Sequence, residues 1–278
     1  MEHAPTDHAK ESSNFSSISV IIIFAACTLG LVLFQSITAG SLFSFSNDDG
    51  DETKKNTTNT KKIHLRRRIQ HALTGLILIG LSYIIPSPVG TYMLFVASVL
   101  FYIFHKLRQH HPSVQQMYLD SFGPLLRPHE KKADHPPGAL YFLIGTTLAS
   151  GCFEEDVGRM AVLCLSLADP MAAVVGTLVG GPKIIPSSFG KRIKKDAGAS
   201  AGGSDIFKKT WAGTMTCFAV AFCISHVMKG ACSSLGCCIV AGISCALAEF
   251  ISDLSPILDD NLIIPVVTGG AVTMFHRL

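Results

Sequence analysis

From Ala72 to Phe104 no charged side chain occurs, and that absence narrows the possible folds more than any motif does. As one continuous helix the stretch would reach about 50 Å, well past the roughly 30 Å hydrocarbon core of a bilayer. It has to be divided, and Pro86-Ser87-Pro88 with Gly90 supplies the division, because proline removes a backbone donor and restricts the residue before it. Two spans joined by a tight turn are predicted here. Ile18 to Ala39 is likewise uncharged over 22 residues, enough for one crossing. Further apolar segments run from Ala139 to Phe153, Met160 to Gly180, Trp211 to Met228, Ala231 to Ala248 and Leu262 to Phe275. The expected fold is an all-α, polytopic integral membrane bundle of about eight transmembrane helices. Only 15% of the 278 residues are charged, against about 25% in a soluble domain.

Lys and Arg give the orientation. Residues 54–68 hold seven, 105–138 hold five and 181–210 hold seven of the 23, and eight-span parity puts all three loops on one side. Basic loops stay in the cytoplasm. The division expected is a lumenal N-terminus at 1–17, a membrane anchor at 18–39 rather than a cleaved signal, a disordered cytoplasmic linker at 40–66 and a multi-span domain at 67–278. The linker assignment rests on "NDDGDETKKNTTNTKK", which is polar and without period. Asn14, in "NFS", then faces the lumen and Asn56, in "NTT", the cytoplasm. The nine cysteines show no C-x-x-C spacing and lie mostly in apolar runs, so they read as small buried hydrophobes.

Asp169 stands midway along an apolar segment, just before Pro170. A carboxylate in the membrane marks a functional site by default, and the proline disfavours continuous helix there. Gly176, Gly180 and Gly181 follow, at spacings that allow close backbone approach. Lys208 and Lys209 abut the next span, followed by Thr210, Gly213 and Thr214. Two cations, hydroxyls and exposed amides suit an anionic ligand such as a polyphosphate. Glu249, Asp253, Asp259 and Asp260 gather at the mouth of the last two spans. Carboxylates beside such cations suit a divalent ion, since Mg²⁺ takes one or two carboxylates plus phosphate oxygens. Neither a Walker A loop nor the protein-kinase motif set is present: Gly190-Lys191 is followed by Arg192.

Five ordered elements carry a resemblance. "RRIQHALTG" places Arg67, Arg68, His71 and Gly75; "LRQHHPSVQQMYLDSFGPLLRPHE" places Arg108, Arg127 and Glu130; "ADPMAAVVG" places Asp169, Ala172 and Gly176. "KTWAGT" adds Lys209, Thr210, Gly213 and Thr214, and "DDNLIIP" adds Asp259, Asp260, Asn261 and Pro265, with Glu249 upstream. In this order they resemble the CTP-dependent lipid kinases of the dolichol kinase and phytol kinase superfamily, most of all the CTP-dependent diacylglycerol kinase branch of fungal endoplasmic reticulum. The likeness runs from about Arg67 to Val272. It departs at Thr177, where the family usually has a basic residue that Lys183 or Lys191 could replace, and in the long "AGASAGG" segment.

The resemblance implies transfer of the terminal phosphate of CTP to the hydroxyl of diacylglycerol at the cytoplasmic face of the endoplasmic reticulum membrane, giving phosphatidate and CDP. It implies a divalent cation, Mg²⁺ or Ca²⁺, on Asp169, Asp259 and Asp260. Arg67, Arg68, Gly176, Lys208, Lys209, Thr210, Gly213 and Thr214 would bind the nucleotide, with Lys209 and Arg127 neutralising charge and Glu249 or Glu130 taking the alcohol's proton. His71, Arg108 and Asn261 would support them. Phytol or dolichol as acceptor, a CDP-lipid-forming cytidylyltransferase and a transporter are the competing expectations.

Overall fold

The computed structural model describes Gly30 and residues 52–127, 129–184, 209–252 and 259–278. The rest of the expected anchor lies outside them, as do Lys191, Lys208 and Asp253. The helices are α1 (Glu52–Ser82), α2 (Ser87–His110), α3 (Pro112–Phe122), α4 (Gly138–Cys152), α5 (Glu155–Leu163), α6 (Asp169–Leu178), α7 (Trp211–Val227), α8 (Leu235–Ser252) and α9 (Asp260–His276). No strand occurs among the described residues beyond an isolated bridge between Lys183 and Thr210.

Two local expectations are revised. Glu52–Lys62, expected to be disordered, forms the first turns of α1. With no Gly or Pro between Glu52 and Thr74, helix extends backward from the packed part at one hydrogen bond per residue, which costs far less than starting anew. The helix also does not break at Asp169-Pro170: α5 runs into α6 through a π-turn, Cys164–Ala168. The wider turn absorbs the missing proline donor, as single π-turns inside α-helices do.

The distribution of side chains is inverted relative to a soluble helix. Three of the four buried residues of α2 are polar, namely Ser98, His105 and Arg108, while Tyr92, Phe95, Leu100 and Ile103 of the same helix are exposed. That pattern keeps polar groups inside and presents hydrocarbon outward, as a bilayer demands. Among the described residues, three helical bodies are long and apolar enough to cross one: Ser87–His110, Glu155–Leu178 and Leu235–Ser252. Shorter apolar helices accompany them, among them α4 with 15 residues and α7 with 17.

α8 packs between α7 and α9, α7 lies on α6, and α4 touches α2, α5 and α9. Where α5, the π-turn, α6, α7 and α8 meet, the core is built of Ala168, Ala172, Cys217, Ala221, Ala241, Cys245 and Ala248. Small side chains let helices approach closely where lipid offers no hydrophobic drive. The buried cysteines serve there as small apolar residues, with Cys217 and Cys245 sulfurs 3.6 Å apart.

Candidate active site

The closing turns at 83–86, 153–154 and 228–234 gather at one end of the bundle. At the other end the starts of α4, α7 and α9, the end of α8 and the loop after α3 bring the charges together.

Glu130 is the best-held of them. Its carboxylate accepts both Nη atoms of Arg67, at 2.6 and 3.0 Å, and the backbone N–H groups of Arg127 at 2.8 Å and Gly138 at 3.1 Å. Burial opposes its ionisation, but the Arg67 guanidinium and the Arg127 amide hold it below the usual carboxylate range. Asn261 donates from Nδ2 to the Gly138 carbonyl at 3.3 Å, so α9 is tied to the same knot. Gly138 is required: a Cβ there would stand 2.8 Å from Arg67 Nη2, 3.0 Å from Glu130 Oε1 and 3.2 Å from Asn261 Nδ2.

A second knot joins α7 to α8. Lys209 Nζ lies 2.7 Å from Glu249 Oε1, and Thr214 donates to Glu249 Oε2 at 3.0 Å. Burial disfavours the ammonium, yet Glu249 and Asp169 raise the Lys209 pKa above the ordinary lysine value. Thr210 caps α7 by accepting the Gly213 N–H at 3.2 Å. A Cβ on Gly176 would come 2.9 Å from Thr210 Oγ1, and one on Gly213 would come 2.9 Å from the Ala172 carbonyl. These glycines let α6, which carries Asp169, approach α7, whose start follows Lys209. The bridge at Thr210 draws the Lys183 backbone alongside, so Lys183, one of the two lysines considered as a replacement at Thr177, is held beside this element.

Asp259 and Asp260 open α9, just before its apolar part, and both accept the Asn261 N–H, at 3.0 and 3.1 Å. Arg127 approaches them at 3.9 and 3.6 Å. Those separations exceed a charge-assisted hydrogen bond, so this guanidinium is paired electrostatically and keeps its donors for another acceptor. Burial and the neighbouring Asp260 push the Asp259 carboxyl up to about 7. Asp260 shares that burial, but Arg127 and Lys209 hold it well below the carboxylate range. Asp169 lies within electrostatic reach of Asp260, Lys209, Glu249 and Arg127, and Arg68 reaches it from α1. It makes no direct hydrogen bond or ion pair among the described residues.

Among the described residues no three His, Cys, Asp or Glu side chains form a cage for an ion. The donor set fits a different arrangement. Two adjacent carboxylates, one of them disfavoured as an anion by the other, suit a divalent cation whose remaining positions go to phosphate oxygens and water.

The remaining expected residues are elsewhere or differently employed. His71 Nε2 donates to the Leu165 carbonyl at 3.3 Å and its ring meets Phe142 edge-on, a packing role at the border of the site. Arg108 is buried beyond the site, stacked 4.5 Å from the Tyr118 ring and donating to the carbonyls of Lys132 and His135. It pins the loop that carries Arg127 and Glu130. Sequence reading missed Gly138, whose N–H and C=O link Glu130 to Asn261; the Pro136-Pro137-Gly138 run at a helix start was the available signal.

Two cavities adjoin these groups. The smaller, about 130 Å³, is lined by Arg67, His71, Tyr118, Glu130 and Asn261 among others, and the larger, about 380 Å³, lies deeper among apolar residues of α1, α2, α4 and α5.

Comparison with known proteins bears on the chemistry. No family model matches the chain, and no solved structure matches it. The chain is similar to a protein of Schizosaccharomyces pombe named CTP-dependent diacylglycerol kinase 1, with 28% identity over 231 residues that cover 76% of this chain and 92% of the relative. That similarity agrees with the five ordered elements, and together they support a lipid kinase embedded in a membrane.

Proposed function

We propose that this chain transfers the terminal phosphate of CTP to the hydroxyl of diacylglycerol at the cytoplasmic face of the endoplasmic reticulum membrane, releasing CDP and phosphatidate. The observation that carries the reading is the convergence of Lys209–Glu249, Arg127, Asp169 and the Asp259/Asp260 pair at one end of the bundle. Phosphoryl transfer asks mainly for positioning and neutralisation of charge, which such a cluster supplies without a nucleotide-binding α/β domain.

The roles follow from which side chains are already engaged. Glu130 and Glu249 each accept two or more strong donors, which makes both poor proton acceptors and good positioning groups. Asp169, without a direct partner among the described residues, takes the proton of the alcohol as the lipid oxygen bonds to the terminal phosphorus and the bond to the CDP oxygen breaks. Arg127 turns its loosely held guanidinium to the phosphates, joined by Lys209 and by Arg67 and Arg68 from α1. Asp259 and Asp260, with Asp169 nearby, would hold a divalent cation, which when bound neutralises phosphate charge.

Purified protein in mixed micelles, given CTP or ATP with equal surface concentrations of diacylglycerol, phytol and dolichol, tests this. Phosphatidate and CDP should form, with CTP preferred. Faster phytyl or dolichyl phosphate would move the substrate, pyrophosphate release would indicate nucleotidyl transfer, and no phosphorylated lipid would overturn the reading.

A further inference from the structure

α1 and α2 are consecutive and joined by a short turn, yet they do not pack along their lengths; α1 leans on α5 and α6, and α2 on α4. The gap between them is the larger cavity, about 380 Å³, walled by Leu78, Leu94, Ala97, Phe101, Phe142 and Leu143. Leu100, 52% exposed, sits at its rim, so the gap meets the lipid side of the bundle. Thr74, Phe101, Ala139 and Phe142 line this cavity and also the smaller one, whose floor is Arg67, His71, Glu130 and Asn261. An apolar passage therefore ends against the charged site. Its far end is closed by Arg159, which donates to the Ser82 carbonyl at 2.6 Å and Ser82 Oγ at 3.0 Å and pairs with Glu155. From His71 to Ser82 along α1 the passage measures about 17 Å at 1.5 Å per residue.

We propose that this gap holds one acyl chain of the lipid acceptor, entering between α1 and α2 and placing the hydroxyl at the junction of the two cavities, beside Arg67 and His71. The proposal rests on the lipid kinase reading and adds where the lipid lies. Its chemistry is specific about the occupant. Apolar cavities of about 150 Å³ already take up hydrocarbon in preference to water, and this one is more than twice as large and opens at its polar end onto the cavity lined by Arg67, His71, Glu130 and Asn261. Inside a bilayer, moving a tail from lipid into an apolar gap is close to neutral, because lipid is as apolar as the wall. The passage thus contributes alignment of the hydroxyl rather than affinity, and blocking it should lower turnover more than binding.

The first test needs no activity. Purified wild-type protein in phosphatidylcholine nanodiscs is irradiated with diacylglycerol carrying a diazirine at the middle of one acyl chain, and the labelled residues are mapped. Label on cavity residues such as Leu94, Ala97 and Leu143, competed by unlabelled diacylglycerol but not by added phosphatidylcholine, is expected. Label confined to the outward Phe95 and Val99 or to residues 18–39, or competed equally by phosphatidylcholine, overturns the proposal. The second test fills the gap with Ala97→Phe. Turnover of long-chain dioleoylglycerol should fall about tenfold or more while short-chain dioctanoylglycerol stays within about twofold, the scale on which apolar pockets discriminate; equal loss on both, or none, contradicts the proposal. Should the variant not fold, the labelling result stands alone. A wild-type protein that phosphorylates no lipid yet labels in the cavity would sink the kinase reading and leave the lipid site.

Discussion

Lys209 and Arg159 are both cations at the margin of apolar helices, at opposite ends of the bundle, and their partners differ in kind. Lys209 meets Glu249, which belongs to another helix and is 4% exposed. Arg159 meets Glu155 and Asp156 one turn away on its own helix, both about half exposed, and lies over the Tyr83 ring at 4.1 Å. The Lys209–Glu249 pair joins two helices in a desolvated place, where the proposed reaction would use the cation. Arg159 has its acidic partners exposed on its own helix and also donates to Ser82, which ties α5 to the end of α1. If that distinction is right, substitutions at the two ends should differ sharply in both activity and stability.

The largest contrast should come from Asp169→Asn, nearly isosteric but uncharged, against Arg159→Gln. Turnover of diacylglycerol with CTP should fall roughly 10²-fold or more for the first, as for loss of a group that meets charge in the transition state, with the protein still folded in the membrane. Arg159→Gln should stay near wild type. Comparable rates for the two variants would erase the distinction.

Next is Lys209→Met, which leaves Glu249 buried without its cation. The cost should be about 3–5 kcal/mol in a thermal or denaturant titration in detergent, since an uncompensated buried charge is expensive. The double variant Lys209→Met/Glu249→Gln should recover much of that stability while staying inactive. Recovery of activity along with stability would reduce Lys209 to a structural role.

Gly138→Ala tests the other knot, with an expected loss of about 1–3 kcal/mol, because its methyl would push against Arg67, Glu130 and Asn261. Glu130 also gives a pH signature. A carboxyl held below its ordinary value stabilises the fold above the unfolded pKa, about 4.3, and loses that contribution as pH falls through the folded value. The stability difference between wild type and Glu130→Gln should therefore be flat from about pH 8 to 5 and shrink only in stronger acid; a difference that already shrinks near pH 7 would mean that Arg67 does not hold it. The smallest effect should be Glu155→Gln, under about 1 kcal/mol, because that carboxylate is half exposed.

The same contrast explains what was legible in advance. Arg159 with Glu155 and Asp156 could be paired by spacing alone, since residues three and four apart share a helix face. Glu130 and Glu249 could be marked as acidic positions at one end, but reading them as proton acceptors required them to be free, and only the fold brings Arg67 and Lys209 onto them. The linker at 52–62 looked unstructured from composition because composition does not see the helix that it continues.

By itself the sequence determined the all-helical membrane architecture, through uncharged runs that water cannot solvate and prolines that divide them, and it marked one end as the expected place of the chemistry, through the carboxylates and cations beside the apolar runs. Those properties are local, set by the solvent each segment needs. The tertiary structure alone decided which charges neutralise each other, that Gly138 and Gly213 are contact points, and that α1 and α2 part to leave an apolar passage. These depend on distances between helices far apart in the chain, and those distances are fixed by the small residues through which the helices pack.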